Sequence, residues 1–108
     1  MQTLPERLYR LDSFIVPNHA RDEFLGRVRM THAFLNVQPG FIQDFLLEQP
    51  PEGNAFRLVT LVEWDSEASI ENARVAVKAL HERATFSPED FFERLGVHPE
   101  LGTYRSIR

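Results

Sequence analysis

The sequence predicts an α+β fold in which strand, helix, hairpin, helix and strand follow in that order around one antiparallel sheet. Three observations predict it. Short alternating runs rich in aromatic and β-branched residues occupy residues 8–16, 41–49 and 56–64. Stretches with apolar residues at helical spacing lie between and after them. Turn-forming residues stand at the joins: Pro17-Asn18, Pro39-Gly40, Pro50-Pro51-Glu52-Gly53-Asn54, Asp65-Ser66, Ser87-Pro88 and Gly96.

The first strand, residues 8–16, is stopped by Pro17, and Asn18 is placed to cap the helix that follows. From Ala20 the helix carries Phe24, Val28, Thr31 and Leu35 on one face and ends near Gln38. Residues 41–49 place Phe41, Phe45 and Leu47 on one face of a strand and Asp44 and Glu48 on the other. Residues 56–64 place Phe56, Leu58, Val62 and Trp64 on one face, and the two runs form a hairpin. Val59 and Leu61 make the second face of that strand apolar too, so both faces are expected to be covered.

Ser66 caps the second helix, and Glu67 suits its positive end. Ile70, Ala73, Val77, Leu80 and Ala84 form its inner stripe. Ser87-Pro88-Glu89-Asp90 opens a short third helix that stops at Gly96, with Phe91, Phe92 and Leu95 packed on the body as a lid. Residues 101–107 read as the last strand, with Gly102 a weak point.

This order is the split β-α-β, or ferredoxin-like, arrangement, with right-handed crossovers. Two helices cover one face of the sheet, and a second copy is the natural cover for the other. Residues 1–108 are read as a single domain, a length that buries one core.

Composition bounds the partners. Apolar residues make up 43% and charged residues 26%, as in a folded globular chain. The net charge is −4 and Lys78 is the only lysine, which argues against nucleic acid. The absence of Cys removes disulfides and thiolate chemistry. No apolar leader or membrane-length run is visible, so no membrane partner is expected and the default compartment is the cytoplasm.

Two stretches carry a resemblance. The run from Leu58 to Glu67, with Glu63-Trp64-Asp65-Ser66 at its end, resembles the third-strand-to-helix junction of the antibiotic biosynthesis monooxygenase family. Gln38-Pro39-Gly40-Phe41 is similar to that family's step into its second strand. The likeness extends from about Tyr9 to Tyr104. It implies a dimeric α+β barrel, with a homodimer formed through the sheet faces and a pocket between helices and sheet. It further implies oxygenation of small electron-rich phenols or quinols by O2, with no metal and no cofactor. A non-catalytic ligand-binding or stress-related barrel is the alternative, and an isomerase is a third option.

Such chemistry requires a base and an apolar pocket that excludes water. Of the four His, His19 lies at a helix start and His98 is read as a loop residue. His32 and His81 sit at the edges of the inner faces of the two long helices and are the candidate catalytic residues. Trp64, Phe24 and Val28 are candidates for the pocket wall. For His32, His81 and Trp64, simple packing is the competing reading. Asp12 shares a face with Arg10 and Phe14. It is read as an ion pair with Arg10 or Arg105 at the dimer surface, the alternative being orientation of a His or contact with substrate. No His-Glu-x-x-His or similar spacing supports a metal site. The haem-degrading branch of the family needs Asn, Trp and His where this chain has Asp12, Ala73 and His81, so haem degradation is not expected.

Overall fold

The computed structural model describes residues 7–107. Strand β1 (Leu8–Pro17) leads through a 3-10 turn (Asn18–Ala20) into helix α1 (Arg21–Asn36). Strands β2 (Phe41–Glu52) and β3 (Ala55–Trp64) form the hairpin. Helix α2 (Glu67–Arg83), helix α3 (Pro88–Leu95) and strand β4 (His98–Arg105) complete the chain. The sheet order is β2-β3-β1-β4, and each neighbouring pair is antiparallel. This is the ferredoxin-like α+β arrangement that the element order predicts.

Alternation divides the sheet into two faces. On β3, Phe56, Leu58, Thr60, Val62 and Trp64 are buried beneath the helices. Val59 and Leu61 point the other way, as expected, beside Phe45, Leu47 and Tyr104, which are 44%, 54% and 55% exposed. The open face is therefore apolar at its centre.

The helix-side core falls into two clusters. The larger joins Phe14, Val16, Phe24, Val28, Leu58, Phe91 and Leu95 with their neighbours. The smaller joins Val62, Trp64 and Ala73, with Leu35, Phe41 and Ile70 packed on it. Helix α3 closes the larger cluster: Phe91 stacks on Phe24 at 6.1 Å between ring centroids. Its ends are as the sequence predicts, with Ser87 Oγ accepting from the Asp90 amide at 3.3 Å and Gly96 left-handed at φ 75°. Among the described residues, no helix is long and apolar enough to cross a membrane.

Five local expectations are corrected. Asn18 does not cap α1; its Nδ2 donates to the Gly53 carbonyl and its amide to that of Asn54, latching the hairpin turn onto the end of β1. Helix α1 ends at Asn36, two residues early, because Pro39 cannot continue it. Ala84 is exposed, lying past the last residue of α2. Strand β4 begins at His98 rather than Leu101, because pairing with Ile15 and Phe14 carries Pro99 on an outer strand, where its missing donor costs nothing. His98 is therefore a strand residue. Finally, Phe41 does not share a face with Phe45 and Leu47. A bulge between Phe41 and Gln43 lets Phe41 pair with Trp64 on the helix side, their rings edge to face at 5.8 Å.

The two stretches that carry the family resemblance meet in space. The Asp65 amide donates to the Gly40 carbonyl at 3.0 Å. Ser66 Oγ accepts from the Ser69 amide at 3.1 Å, capping α2, and Ser69 Oγ donates to Asp65 at 2.6 Å. Gly40 is left-handed at φ 87°, and a Cβ there would lie 2.1 Å from Ser69 Oγ and 2.6 Å from the Asp65 carboxylate. Gly40→Ala thus meets both a backbone cost of about 1–3 kcal/mol and a collision with the α2 cap. Chemical denaturation should show a loss of stability at the top of that range or beyond. A variant as stable as the parent would mean that the junction is not tightly packed.

Candidate functional site

A cavity of about 330 Å³ lies between the two core clusters, under α1 and α2 and over β1 and β3. It exists because α2 presents small and half-buried side chains inward: Ala73 is its only buried residue. The volume is within the range of small-molecule sites.

Every candidate site residue lines this space. His32, Phe24 and Val28 reach it from α1, His81 from α2, Asp12 from β1 and Trp64 from β3. Trp64 is 2% exposed and braced by Phe41. Phe14, Val62 and Val77 add apolar wall.

Polar groups gather where the two clusters part. Asp12 on β1 pairs directly with Thr60 on β3, and Asp44 on β2 faces Val62 one step along. Above them His32, 8% exposed, bonds through Nδ1 to Asp44 Oδ2 at 2.8 Å. The carboxylate accepts, so Nδ1 donates and Nε2 is left for a ligand. The pattern of residues 41–49 puts Asp44 opposite Phe41; the bulge brings both to the helix side. Asp44 was therefore not a candidate from sequence, although it is the residue that orients His32.

Asp12 also departs from expectation. It does pair with Arg10, at 3.1 Å, but on the cavity side of the sheet rather than at the open face. Arg10 is held in turn by donating to Thr103 Oγ1 at 3.0 Å. Burial raises the Asp12 carboxyl above its ordinary value, opposed by the Arg10 charge, a hydrogen bond from the Gly102 backbone and the nearby His32.

At the other end of the cavity His81 meets Phe86 edge to face at 5.0 Å, and the Arg27 guanidinium lies over the same ring at 3.4 Å. Burial lowers the His81 pKa below 6.5, and the Arg27 charge adds to the effect. Arg27 is a second residue that sequence reasoning missed, because a charged residue on a long helix reads as solvated. Its Nε is buried and has no hydrogen-bond partner among the described residues. Those residues also contain no cluster of three or more His, Cys, Asp or Glu.

The fold and cavity define a ferredoxin-like α+β protein with a mostly apolar, His-bearing pocket. No protein-family model matches the sequence, and no curated protein sequence matches it. Solved structures do match in fold. SnoaB, a cofactor-independent oxygenase from Streptomyces nogalater, has a TM-score of 0.71 at 22% identity, over 95% of both chains. A candidate antibiotic biosynthesis monooxygenase from Nitrosomonas europaea has a TM-score of 0.67 at 14% identity, over 99% of this chain and 96% of that one. A dimeric ferredoxin-like protein from an uncultured marine organism has a TM-score of 0.67 at 15% identity, over 95% and 97%. The likeness is one of fold over nearly the whole length of each chain.

The two causes acting on His81 can be separated. In an NMR titration its midpoint should fall below 6.5. Arg27→Met should raise it without restoring the ordinary value, since burial is the larger cause. Because the unfolded chain holds this proton more tightly than the fold, the stability from this group is complete above 6.5 and is lost as pH falls through the folded value. His81→Phe should accordingly lose less stability than wild type between neutral pH and about pH 5. A His81 midpoint at or above 6.5 would overturn the assignment.

Proposed function

We propose that the chain is a single-domain, cofactor-independent monooxygenase acting on a small electron-rich phenol or quinol with O2. The observation that carries this reading is a buried His32, oriented by Asp44, in a cavity whose walls are otherwise largely aromatic and aliphatic. The likeness in fold to an oxygenase that works without a cofactor supports it.

In this reading Trp64, Phe24 and Val28 sandwich the flat ring, and Asp12 with its Arg10 partner marks the polar floor. His32 Nε2 takes the phenolic proton, leaving an electron-rich phenolate in a site that excludes water. The phenolate supplies the electrons: a ring carbon bonds to O2 to give a hydroperoxide. The ring carbon then gives up its hydrogen as a proton and the O–O bond breaks, one oxygen staying on the ring as a quinone carbonyl and the other leaving as water with that proton and the phenolic one. Phenol and O2 thus become quinone and water, with no external reductant. His32 returns the proton to the departing oxygen. His81, kept neutral by burial and Arg27, faces the other end of the ring.

Oxygen uptake with a panel of quinols and dihydroxyaromatics tests this. His32→Ala should lower the rate by about a hundredfold or more, and Asp44→Asn should lower it less, through misorientation of the ring. An unchanged rate in His32→Ala would sink the base assignment. Tight binding of the same compounds without any oxygen uptake would favour a ligand-binding barrel instead.

We also propose that two copies pair through the open face of the sheet. The apolar strip of Phe45, Leu47, Val59 and Leu61 supports this, as does the dimeric state of a fold neighbour. Light scattering should then give twice the chain mass of 12.6 kDa. Phe45→Glu with Leu47→Glu should halve the measured mass while leaving the circular dichroism spectrum native. A wild-type monomer at micromolar concentration would be decisive against pairing.

A further inference from the structure

The oxygenase chemistry gives Arg27 no contact with the substrate. Three Arg line the cavity, and two of them are spoken for: Arg10 by Asp12, and Arg74 by both oxygens of Glu71. Arg27 has no carboxylate partner among the described residues. Its Nη1 reaches only Met30 Sδ, at 3.7 Å, a weak acceptor, and its buried Nε–H has none. The guanidinium is held flat over Phe86, which itself packs on His81. A stacked guanidinium keeps its N–H groups in its own plane, where paired donors match the two oxygens of a planar carboxylate.

Arg27 and His32 are five residues apart on α1. That separation is roughly 7.5 Å along the helix axis, the scale of one or two aromatic rings. The two residues therefore offer a cation and a basic nitrogen at separate points of one cavity.

We propose that Arg27 determines specificity and that the ligand is a hydroxyaryl carboxylic acid, its carboxylate on the Arg27 guanidinium and its hydroxyl at His32. This rests on the cavity being the ligand site, as in the proposed function, and adds the charge and chemical class of what enters it.

Calorimetric titration of hydroxybenzoic and hydroxynaphthoic acids against their neutral carboxamides tests it. Quenching of Trp64, the sole Trp, reports that the compound occupies this cavity. Wild type should bind the acids at least tenfold more tightly than the amides. Arg27→Met should abolish that preference, with the loss falling mainly on the acids, and Arg27→Lys should retain part of it. Equal affinity for acid and amide in wild type overturns the proposal. So does failure of every acid to bind, or an Arg27→Met variant weakened equally toward both. If Arg27→Met fails to fold, the wild-type comparison and Arg27→Lys decide. Because the readout is binding, acid preference without oxygen uptake removes the oxygenase reading alone. Turnover of neutral quinols without acid preference removes this proposal alone.

Discussion

The hydrogen bond between His32 and Asp44 ties the first helix to an outer strand across the gap between the two halves of the core. His32 is buried and Asp44 half-buried, and neither suits an apolar setting unpaired. A buried donor or acceptor left unpaired costs about 1–3 kcal/mol, and more when charged. Paired, they allow a polar centre to persist where hydrophobic packing would otherwise close. Thr60 and Asp12 continue that centre across β3 and β1, opposite one another in the register. Polar residues at adjacent levels on four elements thus border the cavity, with the small Ala73 of α2 above them.

Much of the fold was legible because its signals are local and redundant. Alternation in residues 56–64 and the Ser-Pro-Glu-Asp opening of α3 each describe one element completely. Trp64, Phe24, Val28, His32 and His81 could be placed on cavity-facing surfaces because helical and strand periods specify faces without knowledge of neighbours. The failures that touch the site share a cause: they depend on contacts between segments distant in sequence. Phe41 was assigned to the face of Phe45 and Leu47 because the bulge after it breaks the period-two pattern, and only pairing with β3 reveals that it shares the helix side with Asp44. Asn18 has the side chain of a cap, yet the hairpin turn competes successfully for it. Arg27 carries no sequence mark at all; its value comes from Phe86, nearly sixty residues away, which lies beneath it.

Pro39-Gly40 and the end of β3 show how a motif with no catalytic group still governs a site. Gly40 admits Ser69 and Asp65 to a distance that no side chain would allow. That approach sets where α2 leaves the sheet, and Ala73, Val77 and His81 follow on the same helix. The position of His81 over the cavity is in this sense decided at the opposite end of α2.

Neighbouring residues along β1 and β3 face opposite sides of the sheet. Phe14, Thr60 and Val62 look into the cavity, whereas Leu11, Val59 and Leu61 look outward. The strands are therefore written in two interleaved texts, one for a ligand and one for a neighbour. Substitutions can accumulate in either text with only the backbone to carry their effects to the other. Such a sheet can change what it binds while keeping its assembly, or change its assembly while keeping its chemistry, through single-letter steps that never overlap.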